Sequence, residues 1–181
     1  MDRTNHYETA FKGYLHAHGN CYVAVDESQR AIFEDEALKS LDFIVYGEES
    51  SRLLVDIKGR RYPTGTPGRE RHVWECWCTE DDVTGLTRWV EVFGSGYRGL
   101  LVFAYQVAPE IPLFGDTEDL WTHHDRRYLF RAIDIEDYKQ HLRVRSPKWR
   151  TVTIPRPAFR DIVRPFRHFL GSQLAEVPAF I

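Results

Sequence analysis

The chain has few cysteines, no long apolar run and no low-complexity tract. Three cysteines among 181 residues are an odd number, and with no export signal they argue against a disulfide framework. No apolar stretch approaches the roughly 18 residues of a membrane-spanning helix, and Met1-Asp2-Arg3-Thr4 does not lead into a signal-peptide hydrophobic region. The expectation is a soluble, cytoplasmic protein without a membrane partner. No internal repeat is visible either, so solenoid architectures are not indicated. What is present, 43% hydrophobic and 14% aromatic residues, supplies enough core for one domain spanning 1–181.

Charge turns up where packing alone would not put it. Two acids and a base interrupt the most apolar segments, Leu41-Asp42-Phe43-Ile44-Val45-Tyr46 and Leu53-Leu54-Val55-Asp56-Ile57-Lys58. Burying an ionised carboxylate costs several kcal/mol unless it is paired, hydrogen-bonded or bound to a cation. Side chains two apart on a strand share a face, so Asp56 and Lys58 point the same way. The polar stretch Gly47-Glu48-Glu49-Ser50-Ser51 reads as the turn of an antiparallel hairpin. Pairing Asp42 directly with Asp56 leaves a five-residue loop between Tyr46 and Arg52. It also puts the two acids on facing positions about 4.5–5.5 Å apart.

Two facing aspartates are hard oxygen donors. They suit Mg²⁺ or Mn²⁺ better than zinc, since Mg²⁺ takes one or two carboxylates and keeps several waters. Lys58 could then orient or deprotonate a metal-bound water, or neutralise charge on a phosphate. The plainer alternative is an Asp/Lys ion pair on a half-exposed sheet, which the apolar neighbours Ile44 and Leu54 disfavour. A third acid comes from an amphipathic helix over residues 5–18, marked by Tyr7, Phe11, Tyr14, Leu15 and His18 and capped by Thr4 or Asn5. On its projection Glu8 falls about 20° from Leu15, at the edge of the buried stripe, so it can lean toward the sheet.

Glu8, Asp42 and Asp56-Ile57-Lys58, in this order after an N-terminal helix, resemble the PD-(D/E)xK phosphodiesterase superfamily with its restriction-endonuclease-like fold. Leu41 stands where a proline often precedes the first acid. The box His6-Tyr7-Glu8-Thr9-Ala10-Phe11 is similar to the uncharacterised bacterial HYExAFE family, with Lys12 in place of its final glutamate. That likeness extends through Lys39 to Phe43, Asp56 to Arg60 and Ser146-Pro147-Lys148-Trp149. The resemblance implies an α/β fold with a mixed sheet and an αβββαβ core. It implies Mg²⁺ or Mn²⁺ held by Asp42, Asp56 and the Ile57 carbonyl, Glu8 binding a second metal or a metal-bound water, and Lys58 orienting the nucleophile. Resolvases of the superfamily tend to dimerise, which leaves a homodimer open.

The remaining path reads as a strand over 21–26, a short helix over 33–38, and the two site strands. A glycine- and proline-punctuated basic loop from Lys58 to Arg71 follows. Thr79 and Asp82 make a capping box for a helix that ends at Gly94, and strands follow over 100–107 and 128–135. Cys76-Trp77-Cys78, with His72 and His123-His124, lacks the spacing of structural zinc and reads as buried free thiols.

Net charge is −3 over the chain but divides unevenly. A core of about 5–142 is acidic, and a basic extension of about 143–181 carries eight arginines and lysines against two acids. Arg143, Arg145, Lys148 and Arg150, with Trp149 among them, suit a phosphate backbone, and Arg60, Arg61, Arg69 and Arg71 extend that surface. The expectation is a metal-dependent nuclease acting on nucleic acid, DNA first, in repair or recombination. The alternatives are a catalytically silent nucleic-acid-binding protein of the same fold and a metal-dependent hydrolase of a small phosphorylated substrate.

Overall fold

The computed structural model describes residues 5–25, 32–33, 36–37, 41–48, 51–113, 117 and 119–171. In chain order these form α1 (His6–Ala17), β1 (Cys21–Ala24), β2 (Ile32–Phe33), β3 (Glu36–Ala37), β4 (Phe43–Tyr46), β5 (Arg52–Tyr62), β6 (Cys78–Thr79), α2 (Glu80–Phe93) and β7 (Tyr97–Val107). They continue with β8 (Leu120–His123), β9 (Arg126–Asp134), α3 (Ile135–His141), β10 (Arg143–Ser146), β11 (Thr151–Thr153), α4 (Arg156–Ile162), β12 (Arg164–Pro165) and a 3₁₀ turn at Phe166–Leu170. No helix among the described residues is long and apolar enough to cross a membrane.

The main sheet runs β1-β4-β5-β7-β9-β12, with β8 paired to β9. β5 and β7 are parallel, and α2 makes the crossover such neighbours require. The other neighbours in this sheet are antiparallel. Helix α1, strands β1, β4 and β5, helix α2 and strand β7 give the αβββαβ order of the restriction-endonuclease-like fold, with the β2–β3 hairpin inserted after β1.

Alternation along the strands divides the core in two. Leu53, Val55 and Ile57 of β5 join Leu100, Val102 and Ala104 of β7 and Tyr128 and Phe130 of β9 against Phe11, Tyr14 and Leu15 of α1. On the other face Leu54, Leu101, Phe103, Tyr105, Leu129 and Ile133 meet Leu86 of α2 and Tyr138 of α3. A smaller sheet, β10-β11-β6, covers part of that second face. Each large side chain removed from water in these layers contributes about 1.5–3 kcal/mol before entropy is counted.

Residues 143–171 wrap the domain. β12 completes the edge of the main sheet, and Phe166 sits edge-on to Phe11 at 4.9 Å, in the core beneath α1. Buried Asp119 locks this arrangement: it accepts from Arg167 N at 2.9 Å, Arg167 Nε at 2.7 Å and the Tyr14 hydroxyl.

Several expectations change. The stretch expected to hold a helix over 33–38 contains the antiparallel β2–β3 pair among its described residues, because Ile32 and Phe33 favour extended pairing; residues 34, 35 and 38 lie outside the description. The basic loop starts after Tyr62 rather than at Lys58. β5 pairs with β7 from Arg52↔Tyr97 to Tyr62↔Val107, so the backbone of 59–62 finds its partners there. Strand β9 opens at Arg126, two residues before its apolar run. Asn5 caps α1, accepting from Tyr7 N; Thr4 lies outside the described residues.

Candidate active site

The hairpin register is the one the sequence suggests. Tyr46 faces Arg52 and Phe43 faces Val55, so the next position sets Asp42 opposite Asp56, just past the end of β4. Both acids are buried, at 7% and 5% exposure. Asp42 Oδ2 accepts from the Ile57 N–H at 2.5 Å, which pins the carboxylate to the β5 backbone.

Lys58 shares the Asp56 face. Its Nζ lies 2.7 Å from Asp56 Oδ1 and 3.0 Å from Asp82 Oδ1. Asp82 also closes the capping box of α2: its Oδ2 accepts from Thr79 N at 2.7 Å, and Thr79 Oγ1 accepts from Asp82 N at 3.1 Å. One residue thus fastens the helix start to the lysine. Its capping role was legible from the Thr79 spacing, whereas its pairing with Lys58 depends on how α2 docks.

The electrostatics decide roles. Burial, then the Asp56 charge, push the Asp42 carboxyl well above the usual carboxylate range; the Ile57 N–H and Lys58 oppose this, and Glu8 adds to it. Two carboxylates that resist joint ionisation need a cation between them or a proton on one. Burial alone would lower the Lys58 pKa, but Asp56 and Asp82 outweigh it and hold the ammonium above its ordinary value. Lys58 is therefore a fixed positive charge and donor, unsuited as it stands to taking a proton from water.

Glu8 approaches from α1, on the opposite face of the sheet. Its Oε1 accepts from Asn5 Nδ2 at 2.6 Å, and its charge reaches Asp42. The fit of α1 depends on Gly59, where an added Cβ would lie 2.2 Å from the Tyr7 ring. Among the described residues no three His, Cys, Asp or Glu side chains gather as a ready cation cage. The facing aspartates still fit Mg²⁺, which needs one or two carboxylates and completes its shell with water.

The basic residues divide into groups. Arg60 is turned inward, its guanidinium 4.0 Å from the Trp77 ring centroid and donating to the Trp77 carbonyl. Arg145 of β10 also lies over Trp77, at 4.8 Å. Arg150 pairs with Glu80 and Asp81, both at 3.1 Å, on the first turn of α2. The Arg145 and Arg150 contacts fasten the β10–β11 hairpin to Trp77 and to the start of α2. Its turn exposes Lys148 and Trp149, the latter at 70%, and Arg143 is exposed on β10. Arg61, Arg69 and Arg71 are also exposed; Arg71 Nη2 lies 3.8 Å from Glu75. Cys76 and Cys78 are buried free thiols, as expected.

No protein-family model matches the chain, and no curated protein matches it. Among solved structures, it is similar to Hjc, a Holliday junction resolvase from the archaeal hyperthermophile Archaeoglobus fulgidus. The TM-score is 0.49 at 11% identity, over 87% of this chain and 92% of that one. The fold assignment rests on the topology of this chain itself.

Proposed function

We propose that the protein is a divalent-metal-dependent nuclease whose centre is Asp42, Asp56 and Lys58, and that it belongs with the HYExAFE-like proteins its first helix resembles. The observation that carries this is the buried, facing Asp42/Asp56 pair, in which the Asp56 charge adds to the cost of ionising Asp42. Such a pair is costly as a mere structural feature and useful as a cation site.

Asp42 and Asp56 would hold Mg²⁺ or Mn²⁺, with the Ile57 carbonyl beside them and Glu8 within electrostatic reach. A bound cation would polarise the scissile phosphate and make water a better nucleophile. Lys58, held protonated between Asp56 and Asp82, would orient the attacking water and balance charge developing on the phosphate. Asp82 would set the lysine's position. The β10–β11 hairpin would carry the phosphate backbone past the site through Arg143, Arg145 and Lys148, with Trp149 open for stacking on a base. The DNA reading rests on that basic and aromatic hairpin and on the resemblance.

One observation favours a non-cutting DNA-binding protein instead. Lys58 already pairs with Asp56 at 2.7 Å, which fits a lysine that replaces the cation rather than serving it. Calorimetric titration of Mg²⁺ and Mn²⁺ into wild type and the Asp42→Asn/Asp56→Asn variant separates the two. Single-stranded, duplex and four-way-junction DNA are then tested for cleavage. The nuclease expectation is metal binding lost in the variant, together with cutting of at least one substrate. Wild type that binds DNA but no metal would overturn it in favour of the binding protein.

A further inference from the structure

A cavity of about 400 Å³ lies on the α2 face of the main sheet, and neither Asp42 nor Asp56 is among the residues that line it. Its lining combines Trp74 and Phe159 with Arg131, Arg156, Arg160 and His72. No acidic side chain is among the described residues that line it. The volume is in the range of small-ligand sites.

The arginines differ in setting. Arg131 of β9 is 9% exposed, on the sheet face shared with Leu129 and Ile133, and its Nη1 donates to the Phe130 carbonyl at 3.2 Å. Arg156 and Arg160 are exposed and one helical turn apart on α4, a like-charge spacing that disfavours the helix unless an anion lies between them. Guanidinium groups favour phosphate because their planar fork matches two of its oxygens. The aromatic wall is firm: Trp74 lies flat on Tyr62 with centroids 3.7 Å apart and planes 2° from parallel, and it meets Tyr105 edge-on.

We propose that this cavity is a nucleotide site, with the phosphate against Arg131, Arg156 and Arg160 and the base against Trp74 and Phe159. Lys58 faces Phe103, and Phe103 faces Arg131, so the cavity arginine and the site lysine stand two strands apart in one row. That is about 10 Å between backbones. The occupant is either a free nucleotide or the terminal nucleotide of a strand whose backbone continues toward the acids. The site does not depend on Asp42 and Asp56 holding a metal.

The test uses the full chain carrying Asp56→Asn, in metal-free buffer, so that cleavage plays no part. Calorimetry compares AMP, adenosine, inorganic phosphate and a short 5′-phosphorylated DNA strand. AMP is expected to bind about tenfold or more tighter than adenosine or phosphate, and an added Arg156→Glu/Arg160→Glu pair to lose at least that factor. Because both arginines are exposed, the variant keeps its fold, which circular dichroism checks. Binding of the phosphorylated strand without AMP, lost in the same variant, assigns the site to a strand end. The proposal is overturned if neither probe binds, if the arginine pair makes no difference, or if adenosine or phosphate binds as well as AMP.

Discussion

Asp82 joins two functions in one carboxylate. One oxygen closes the capping box of α2 and the other pairs with Lys58. Asp82→Asn removes the charge that helps fix the lysine while keeping a polar group at the cap. The expected cost is about 1.5–3 kcal/mol, the range for hydrogen bonds to charged groups, read by urea unfolding. If cleavage is found, it should fall with the loss of lysine position even where the variant is fully folded. The cysteines give a separate test with a pH sign. Burial pushes the Cys78 thiol up to about 12, and only a thiolate reacts, so below that pH Cys78 stays protonated and inert in the native protein. Cys21 is exposed. A thiol-specific reagent should modify one thiol of three at pH 8 and still one at pH 10, with the others reacting only in denaturant. A second fast-reacting thiol in the native protein would contradict this packing.

At the scale of elements, α1 is seated by an absence of side chain. Gly59→Ala would drive a methyl into the Tyr7 ring and lift the helix start that carries Glu8. The expected loss is about 1–3 kcal/mol, the usual cost of overpacking, with a lower melting temperature as the measurement. Much at this scale was legible in the sequence. Thr79, Asp82 and Gly94 mark both ends of α2, and the five polar residues after Tyr46 set the register that brings Asp42 opposite Asp56. The β10–β11 hairpin was not legible. Arg143-Val-Arg-Ser and Thr151-Val-Thr are short and polar, and their pairing is completed by Cys78 and Thr79, more than sixty positions earlier. Gly59 to Tyr62 hide their strand for the same reason, since the glycine and arginines suggest a loop while the partner strand β7 lies far downstream.

Over the whole molecule, charge is sorted by position. The acidic body carries the buried pair, and the exposed basic hairpin leans on it through Trp77 and the start of α2. If that hairpin carries nucleic acid, Lys148→Ala/Trp149→Ala should weaken DNA binding and flatten its dependence on salt by about one phosphate contact. Fluorescence anisotropy over a salt series reads both quantities. An unchanged slope and affinity would move the interface elsewhere. The whole-chain charge of −3 conceals this division, which appears only when residues 143–181 are counted apart. The sequence had no comparable signal for Arg131, whose burial depends on β9 lying next to β7.

The contact of Phe11 with Phe166 also sets an order of events during synthesis. Helix α1 leaves the ribosome before the segment that covers it, since one of the covering rings is encoded 155 positions later. At about 5–20 residues per second, Phe11 and Tyr14 wait roughly 8–30 s for that cover. During that interval the newborn chain shows the cell a greasy stripe that the finished protein hides, and it would be a client for whatever guards nascent chains.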